Sequence, residues 1–290
     1  MPSVRRARPI LGTIVDISVD GANAEEAVES AFREIEAIHH LMSFHEPESD
    51  VSRLNRSAPL SAIAIDFRTY EVLTFAEKLS LVSEGTFDVT VGGALVEEGF
   101  LPRLSDAEKP ECTASFRDIV LLPDNQVMRK RNVWIDLGGI AKGYAVDRAV
   151  GILREHGISN GSVNAGGDLR IFGDAQPVHI RDPFDASRMY LLGTVSDSAV
   201  ASSSGFYSKK TDGSRTVDPI VSSQQNKCME WGCGISVTAP ICMAADALTK
   251  VVRLMPENIF EVLTQYNATA IRINPDGLYT LSSNAPAATA

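Results

Sequence analysis

The stretch DLGGIAKGYAVD, residues 136–147, joins a predicted strand to a predicted helix and carries the glycines that shape this junction. The helical pattern runs from about Gly139 to His156, and Gly157 is a typical helix stop. Glycines allow close approach of the backbone, the helix N-terminus carries partial positive charge, and Lys142 can reach a phosphate. The Walker order and the dinucleotide-binding glycine spacing are both absent, so the stretch indicates neither of those nucleotide folds.

The segments on either side of this junction predict an α+β fold with mainly antiparallel sheet and packed helices. Helices and strands do not alternate regularly along the chain, as they would in a parallel α/β fold. Periodicity and turn residues predict helices at 24–42, from the N-cap Asp66 to near Gly85, and at 139–156, 243–255 and 256–266; a polar loop at 43–55; and strands at 13–19, 118–122, 126–137, 168–172, 178–180, 189–202, 270–273 and 278–281.

Length alone allows one large domain or two, and no repeat, low-complexity block or linker divides the chain, so we expect one folded domain over residues 1–281 and an unstructured tail at 282–290. The chain has 290 residues, of which 44% are hydrophobic, so it can bury a sizeable core. With 27 basic and 37 acidic residues, the net charge is −10. This balance argues against nucleic acid as a partner, because phosphate backbones are bound by clustered lysine and arginine. An anionic ligand therefore needs local positive charge.

The N-terminal segment predicts a strand and no targeting signal. Arg5, Arg6 and Arg8 precede an apolar run at 9–19, but Gly12, Thr13, Asp16 and Ser18 interrupt that run. The alternation within it is typical of a strand. No stretch approaches the roughly 20 apolar residues that span a bilayer, so no membrane span is expected. A cytoplasmic location is the corresponding expectation.

The four cysteines, Cys112, Cys228, Cys233 and Cys242, indicate a reducing compartment. They are too few for a disulfide scaffold at this length, and no Cys-x-x-Cys pair is present. Their spacing does not match a usual zinc knuckle, and ordinary buried thiols are the favoured interpretation.

Four clusters combine glycine or small residues with a carboxylate at predicted strand and helix junctions, where backbone N–H groups can face an anion. They are residues 85–93, 136–147, 164–168 and 244–250. Each also has a simpler structural interpretation. The first and third also fit plain turns, and Asp246 with Lys250 also fits an ordinary ion pair four residues apart on one helix face.

Eight motifs follow one another along the chain: Leu11-Gly12-Thr13, Met42-Ser43-Phe44-His45, Ser49-Asp50-Val51-Ser52-Arg53-Leu54-Asn55, 85–93, 136–147, Asn164-Ala165-Gly166-Gly167-Asp168, Ser203-Ser204-Gly205 and Ala245-Asp246-Ala247-Leu248. In this order they resemble the ApbE family of FAD:protein FMN transferases, and the resemblance spans about 11–254. The resemblance implies an ApbE/T-fold-like α+β architecture. It also implies Mg²⁺-dependent transfer of FMN from FAD to a threonine or serine of an acceptor protein, with release of AMP.

Carried over residue by residue, the resemblance assigns FAD binding to Met42, Ser43, His45, Asp88, Thr90, Gly139, Lys142, Asp147, Asn164, Gly166, Gly167, Asp168, Ser204 and Gly205. For Mg²⁺ it assigns the carboxylate of Asp246 and the carbonyl of Ala141, and the carbonyl of Thr249 is a third candidate. His45 is a candidate ring-stacking residue or displaced base, with a plain loop histidine as the alternative.

Two departures from the family pattern fall among the expected catalytic residues, Asp246, Arg215 and Lys250. The family's metal-binding hydroxyl, four residues after the aspartate, is replaced by Lys250, and the family's histidine is replaced by Arg215. A protonated ammonium cannot bind a cation, and a guanidinium is no base at neutral pH. Either Thr249 and water complete the metal site, or Lys250 supplies positive charge and reduces the need for metal.

These departures leave two alternative functions open beside the transferase. One is an FAD-binding protein of the same fold that has lost transfer, since the segments expected to bind flavin remain recognisable. The other is a hydrolase in which water replaces the acceptor hydroxyl, giving FMN and AMP. Residues 218–222, DPIVS, also differ from the family's Asp-Pro-x-Thr-Gly.

Overall fold

A computed structural model of the chain describes residues 3–104, 107–111, 113–185, 187–205, 208–213, 215–255 and 259–282. The helices are α1 Ala24–Met42, α2 Asp50–Arg56, α3 Phe67–Val82, α4 Gly92–Glu97, α5 Ala141–Glu155, α6 Cys242–Leu254 and α7 Ile259–Gln265, with a 3-10 turn at Phe116–Asp118. The strands are β1 Ser3–Ile10, β2 Thr13–Asp20, β3 Ala62–Ala64, β4 Ile119–Leu122, β5 Gln126–Arg129, β6 Asn160–Ala165, β7 Asp168–Phe172, β8 Gln176–Arg181, β9 Met189–Val195, β10 Ser198–Ser203, β11 Lys210–Asp212, β12 Arg215–Ser222, β13 Lys227–Glu230, β14 Gly234–Ala239, β15 Thr269–Asn274 and β16 Gly277–Ser282.

The chain divides into two compact units. The first unit comprises 1–37, 142–207 and 232–290, and the second comprises 38–141 and 208–231. The expected single domain over 1–281 stays a prediction. Within the described ranges, no helix is long and apolar enough to cross a membrane.

The first unit is built on an eight-stranded sheet in the order β1-β2-β6-β7-β10-β14-β15-β16. Every neighbouring pair in it is antiparallel, which confirms the predicted fold class. Helix α6 packs on β7, β10 and β14 through its small and aliphatic side chains, of which Ala247, Leu248 and Val251 are fully buried. The hairpin of β8 and β9 adds an apolar cluster that includes Val178 and Ile180.

The second unit contains two small antiparallel sheets, β3-β5-β4 and β11-β12-β13, together with α2, α3 and α4. The sheet of β11, β12 and β13 was not predicted from the sequence. Val217 and Val221 on β12 and Cys228 on β13 form an apolar cluster with Ala94 and Leu95 of α4. Residues that diverge from the family pattern therefore still form a packed core.

Strand β1 was missed because its sequence, SVRRARPI, lacks apolar alternation. It pairs with the predicted strand β2 from Ser3 opposite Asp20 to Ile10 opposite Thr13, and forms the edge of the sheet. Its arginines find carboxylate partners, such as Arg5 with Asp16 at 2.9 Å and Arg6 with Glu25 at 2.8 Å. Charged residues are tolerated at a sheet edge, where their side chains reach water.

The local helix signals were accurate where the chain had a clear cap or period. Helix α1 has the predicted bounds, and Asp66 caps α3 by accepting the N–H of Arg68 at 2.9 Å. The polar loop at 43–55 was partly wrong, because Ser49 caps the short helix α2 by accepting the N–H of Ser52 at 3.0 Å. The strand predicted over 126–137 ends at Arg129.

The C-terminal predictions also hold in outline. Helix α7 begins at Ile259, and the predicted start at Pro256 lies outside the described residues. The closing hairpin is confirmed as β15 and β16. Strand β16 includes Ser282, which was placed in the tail, and the rest of that tail, 283–290, lies outside the described residues.

Candidate functional site

Four charged side chains of the first unit are connected by ion pairs and are here called the lysine–aspartate cluster: Lys142, Asp168, Asp246 and Lys250. The Lys142 ammonium lies between two carboxylates, donating to Asp168 and lying 3.4 Å from Asp246 Oδ2. Lys250 donates to Asp246 Oδ1 and, at 3.1 Å, to the Asp246 carbonyl. All four residues were predicted site residues, and the fold brings them together from α5, β7 and α6.

Two glycines make this convergence possible. A side chain at Gly143 on α5 would overlap the carbonyl of Cys242, and its Cβ would lie 2.9 Å from that of Asp246. The bare glycine instead lets its N–H donate to Asp246 Oδ2 at 3.1 Å. Gly166, with φ of 64°, turns β6 into β7 and so positions Asp168 as the first residue of β7.

The hairpin turn between β6 and β7 contains three more predicted ligands. The Asn164 side chain accepts the N–H of Gly167 at 2.9 Å, which orders the turn. Gly167 also has a positive φ, of 107°, as the turn requires. The contact of Asn164, Gly166 and Gly167 with FAD stays a prediction.

Burial and neighbouring charges shift the pKa values of Asp168 and Asp246 in opposite directions. Burial raises the pKa of Asp168, and the negative charge of Asp246 raises it further. Burial alone would also raise the pKa of Asp246, but Lys142 and Lys250 outweigh it and lower that pKa. Burial disfavours the charged form of Lys142, yet both carboxylates raise its pKa. Asp246 is therefore the firmly ionised carboxylate of the cluster.

Asp147, a predicted FAD ligand, has a structural task in the first unit. Its carboxylate accepts the N–H groups of Cys242 and Met243, at 2.9 and 2.8 Å, at the start of α6. Arg170 donates to the same carboxylate. Helix α6 has no capping side chain of its own at Ile241, so Asp147 satisfies its first N–H groups from α5. Its contact with FAD stays a prediction.

The second unit holds the predicted residues Met42, Ser43, His45, Asp88 and Thr90. Met42 ends α1 and is buried, and the Ser43 hydroxyl accepts the N–H of the exposed His45 at 3.2 Å. Asp88 is buried, and its carboxylate accepts the Thr90 N–H at 2.7 Å and the Thr90 hydroxyl at 2.6 Å. Burial raises the pKa of Asp88. These contacts order two loops.

The remaining predicted ligands lie at ends of elements. Gly139 precedes α5, and Ala141 is its first residue. Ala141 is also the last residue of the first stretch of the second unit. Ser204 and Gly205 follow β10 in the first unit, and Gly205 has a φ of 63°. Their roles toward FAD, and the carbonyl of Ala141 toward Mg²⁺, stay predictions.

Arg215, which stands where the family has a histidine, begins β12 of the second unit. Its guanidinium donates to Glu98 at 3.1 Å and to the carbonyl of Cys228 at 3.1 Å. The side chain of Arg215 is 43% exposed and that of Glu98 is 26% exposed. Arg215 is thus held in an ordinary surface ion pair.

The oxygens around Asp246 do not fit a divalent cation as they are arranged. Mg²⁺ takes oxygen ligands in octahedral geometry, whereas both carboxylate oxygens of Asp246 already accept N–H donors. Thr249 lies inside α6, where carbonyls accept bonds of the helix, and its hydroxyl donates to the Asp246 carbonyl at 2.7 Å. Among the described residues, no three His, Cys, Asp or Glu side chains are grouped to hold a metal.

The described cysteines belong to no group that could hold a metal ion. Cys228, Cys233 and Cys242 are buried free thiols, and Cys112 lies outside the described residues. Burial raises the pKa of the Cys228 thiol to about 12. The thiol of Cys233 accepts an N–H of Arg253 at 3.0 Å.

Sequence reasoning missed two residues around the lysine–aspartate cluster, Arg170 and the N–H of Gly143, and in the second unit it missed Glu98 as the partner of Arg215. Arg170 lies two residues after Asp168 on a predicted strand, and therefore on the same face. Nothing in the neighbouring sequence indicates that Arg170 pairs with Asp147. Gly143 was part of a recognised motif, and its small size was the available signal for close packing. Glu98 had no signal, since its partner Arg215 lies 117 residues away.

Comparison with known proteins places these motifs in one family pattern. The chain matches the ApbE family over residues 11–272. It is 24% identical to the FAD:protein FMN transferase of Escherichia coli K12, over 92% of this chain and 83% of that protein. It is 28% identical to the Vibrio cholerae protein of the same name, over 78% of this chain and 72% of that protein. The crystal structure of the ApbE protein of Thermotoga maritima superposes with a TM-score of 0.83 at 25% identity, covering 96% of this chain and 97% of that one.

Proposed function

The chain belongs to the ApbE family, and from this membership we propose that it transfers FMN from FAD to a threonine or serine hydroxyl of an acceptor protein, releasing AMP. The observation that carries the proposal is the lysine–aspartate cluster. It joins the three recognised motifs at 136–147, 164–168 and 245–248 in one buried group. FAD and the acceptor protein are the proposed partners.

The proposed reaction is a displacement at phosphorus. The acceptor oxygen forms a bond to the FMN-side phosphorus of FAD, and the bridging P–O bond breaks with its electron pair on AMP. The hydroxyl proton is released. Negative charge on the pyrophosphate must be offset for this step, which in phosphoryl transfer is the main task of the protein.

Lys142 and Lys250 are the residues that supply positive charge in the cluster. Their side chains are 30% and 19% exposed, while those of Asp168 and Asp246 are 3% and 1% exposed. The carboxylates are therefore enclosed, and the ammonium groups form the part of the cluster that a ligand can reach. The predicted Mg²⁺ receives no step, because the oxygens at Asp246 do not fit it.

Intact-mass spectrometry of an acceptor domain incubated with the chain and FAD tests the proposal, with AMP and FMN release measured in parallel. We expect a covalent FMN adduct and stoichiometric AMP. Asp246→Ala should abolish both, whereas Lys78→Thr, which changes an exposed lysine of α3, should leave them unchanged.

Two other outcomes would contradict transfer and identify an alternative. Retained FAD without AMP release, across several acceptor domains, would indicate a binding protein. Release of FMN and AMP in equal amounts without an adduct would indicate a hydrolase.

A further inference from the structure

The oxygens of Asp246 are committed to nitrogen donors. Oδ1 accepts from the Lys250 ammonium, and Oδ2 accepts from Gly143 N–H at 3.1 Å and lies 3.4 Å from the Lys142 ammonium. The main-chain carbonyl of Asp246 accepts from Thr249 Oγ1 and Lys250 Nζ. Lys250 thus engages both the carboxylate and the carbonyl of a single residue.

The position of the Lys250 ammonium is determined by one helix. Residues four apart on α6 lie on the same face, so Lys250 reaches Asp246 without help from another element. Lys142, in contrast, reaches Asp246 across 104 residues of sequence and also pairs with Asp168. A cation at Asp246 is therefore built into α6 itself.

The charges of the cluster balance. Two carboxylates and two ammonium groups sum to zero formal charge, and the carboxylates are almost fully buried. A divalent ion added to this neutral group would carry uncompensated charge into a buried site, which is strongly unfavourable. A Mg²⁺ ion ligated at Oδ1 would lie about 2 Å from that oxygen. It would overlap the Lys250 ammonium, which is bonded to the same oxygen.

We propose that the Lys250 ammonium takes the place of a divalent cation at Asp246, so that this chain transfers FMN without a metal ion bound to that carboxylate. The chemical role of Lys250 rests on the proposed function, but the absence of metal binding at Asp246 does not. The bonds made and broken are those given above. The Lys250 ammonium offsets charge on the non-bridging phosphate oxygens.

Binding of Mn²⁺, a paramagnetic stand-in for Mg²⁺, tests the proposal on the purified chain without FAD. Electron paramagnetic resonance measures free Mn²⁺ during a titration. We expect no stoichiometric binding to the wild type or to Lys250→Arg, which keeps the positive charge. Lys250→Thr and Lys250→Gln remove that charge and should bind Mn²⁺ at least about tenfold more tightly than the wild type.

Lys78→Thr is the matched control, because it removes an exposed lysine elsewhere and should not bind Mn²⁺. Circular dichroism melting identifies any variant that fails to fold, and the Gln variant then replaces Thr. Tight Mn²⁺ binding by the wild type that Asp246→Ala abolishes would overturn the proposal. Failure of both folded neutral variants to gain a site would overturn it too.

FMN transfer in excess chelator gives a second readout. The wild type should keep its rate, and Lys250→Thr should lose transfer in chelator and regain it with Mg²⁺. Loss of wild-type transfer in chelator, restored by Mg²⁺, would overturn metal independence. If the wild type transfers no FMN under any condition, the proposed function fails, while the Mn²⁺ titration still decides whether Lys250 occupies the cation position.

Discussion

The lysine–aspartate cluster of the first unit and the Arg215–Glu98 pair of the second both contain a cation that departs from the family pattern. Their surroundings differ. Asp246 is 1% exposed, whereas Arg215 is 43% and Glu98 26% exposed. Water and salt screen the exposed pair, but they cannot reach the carboxylates of the cluster. The same kind of substitution therefore belongs to a buried charge network in one place and to a partly exposed surface pair in the other.

This difference also separates the consequences for function. Lys250 is paired with a buried carboxylate, and the role proposed for its charge in FMN transfer depends on that pair. Arg215 cannot act as a base, and its guanidinium is occupied by Glu98 and a carbonyl. Variants that remove one partner from each region show how strongly burial determines the contribution of a charge pair to the free energy of unfolding.

Asp246→Ala should have the largest effect. It removes one of the two acceptors of each ammonium group and the acceptor of the Gly143 N–H, and it leaves two ammonium charges with one carboxylate, so we expect the free energy of unfolding to fall by about 3 kcal/mol. Urea denaturation monitored by circular dichroism measures this change. A loss below about 1 kcal/mol would mean that the cluster behaves like a surface pair.

Asp147→Ala should rank second. Its carboxylate caps α6 and pairs with Arg170, so its removal should cost about 2 kcal/mol of unfolding free energy. Asp147→Asn keeps an acceptor oxygen and should cost less. Equal losses in the two variants, measured by urea denaturation, would show that the charge and not the cap matters.

Asp118 of the second unit lies between these two cases in burial. Its side chain is 10% exposed, and that of its partner Arg131 is 38% exposed. Burial alone would raise the pKa of Asp118, but the bonds from Arg131 and from Ser115 N–H lower it. A carboxylate with a lowered folded-state pKa contributes full stability above its unfolded value of about 3.9, and this contribution is lost as the pH falls through the folded-state pKa.

We therefore expect the urea midpoint of the wild type to fall more steeply below about pH 4 than that of Asp118→Asn. Above this pH, the wild type should be the more stable of the two. Parallel curves over the acid range would exclude a stabilising role for the ionised carboxylate.

Breaking the Arg215–Glu98 pair should have the smallest effect. Arg215→Ala, Glu98→Gln and the double variant should give a coupling free energy below about 1 kcal/mol in a double-mutant cycle. Adding salt should reduce it further, because the pair is exposed. A coupling as large as the Asp246 effect would remove the distinction between the two regions.

Prediction from sequence succeeded where the signal was local. The apolar period of 24–42 and the cap at Asp66 predicted α1 and α3, because periodicity and capping depend on neighbours within a few residues. It failed for β1, whose arginines mask a strand, and for the small sheet containing β12. Both pair with strands adjacent in sequence, β1 with β2 and β12 with β11 and β13, through backbone hydrogen bonds that their side-chain pattern does not reveal.

The sequence by itself determined the fold class, most helix bounds and the ordered motifs that the family shares. It also specified the Asp246–Lys250 spacing, because four residues on one helix always bring two side chains together. Only the tertiary structure decided that Lys142 joins Asp168 and Asp246, that Asp147 caps α6, and that Arg215 remains near water. The energies of these pairs depend on how completely each group is removed from solvent, which is a property of the packed chain.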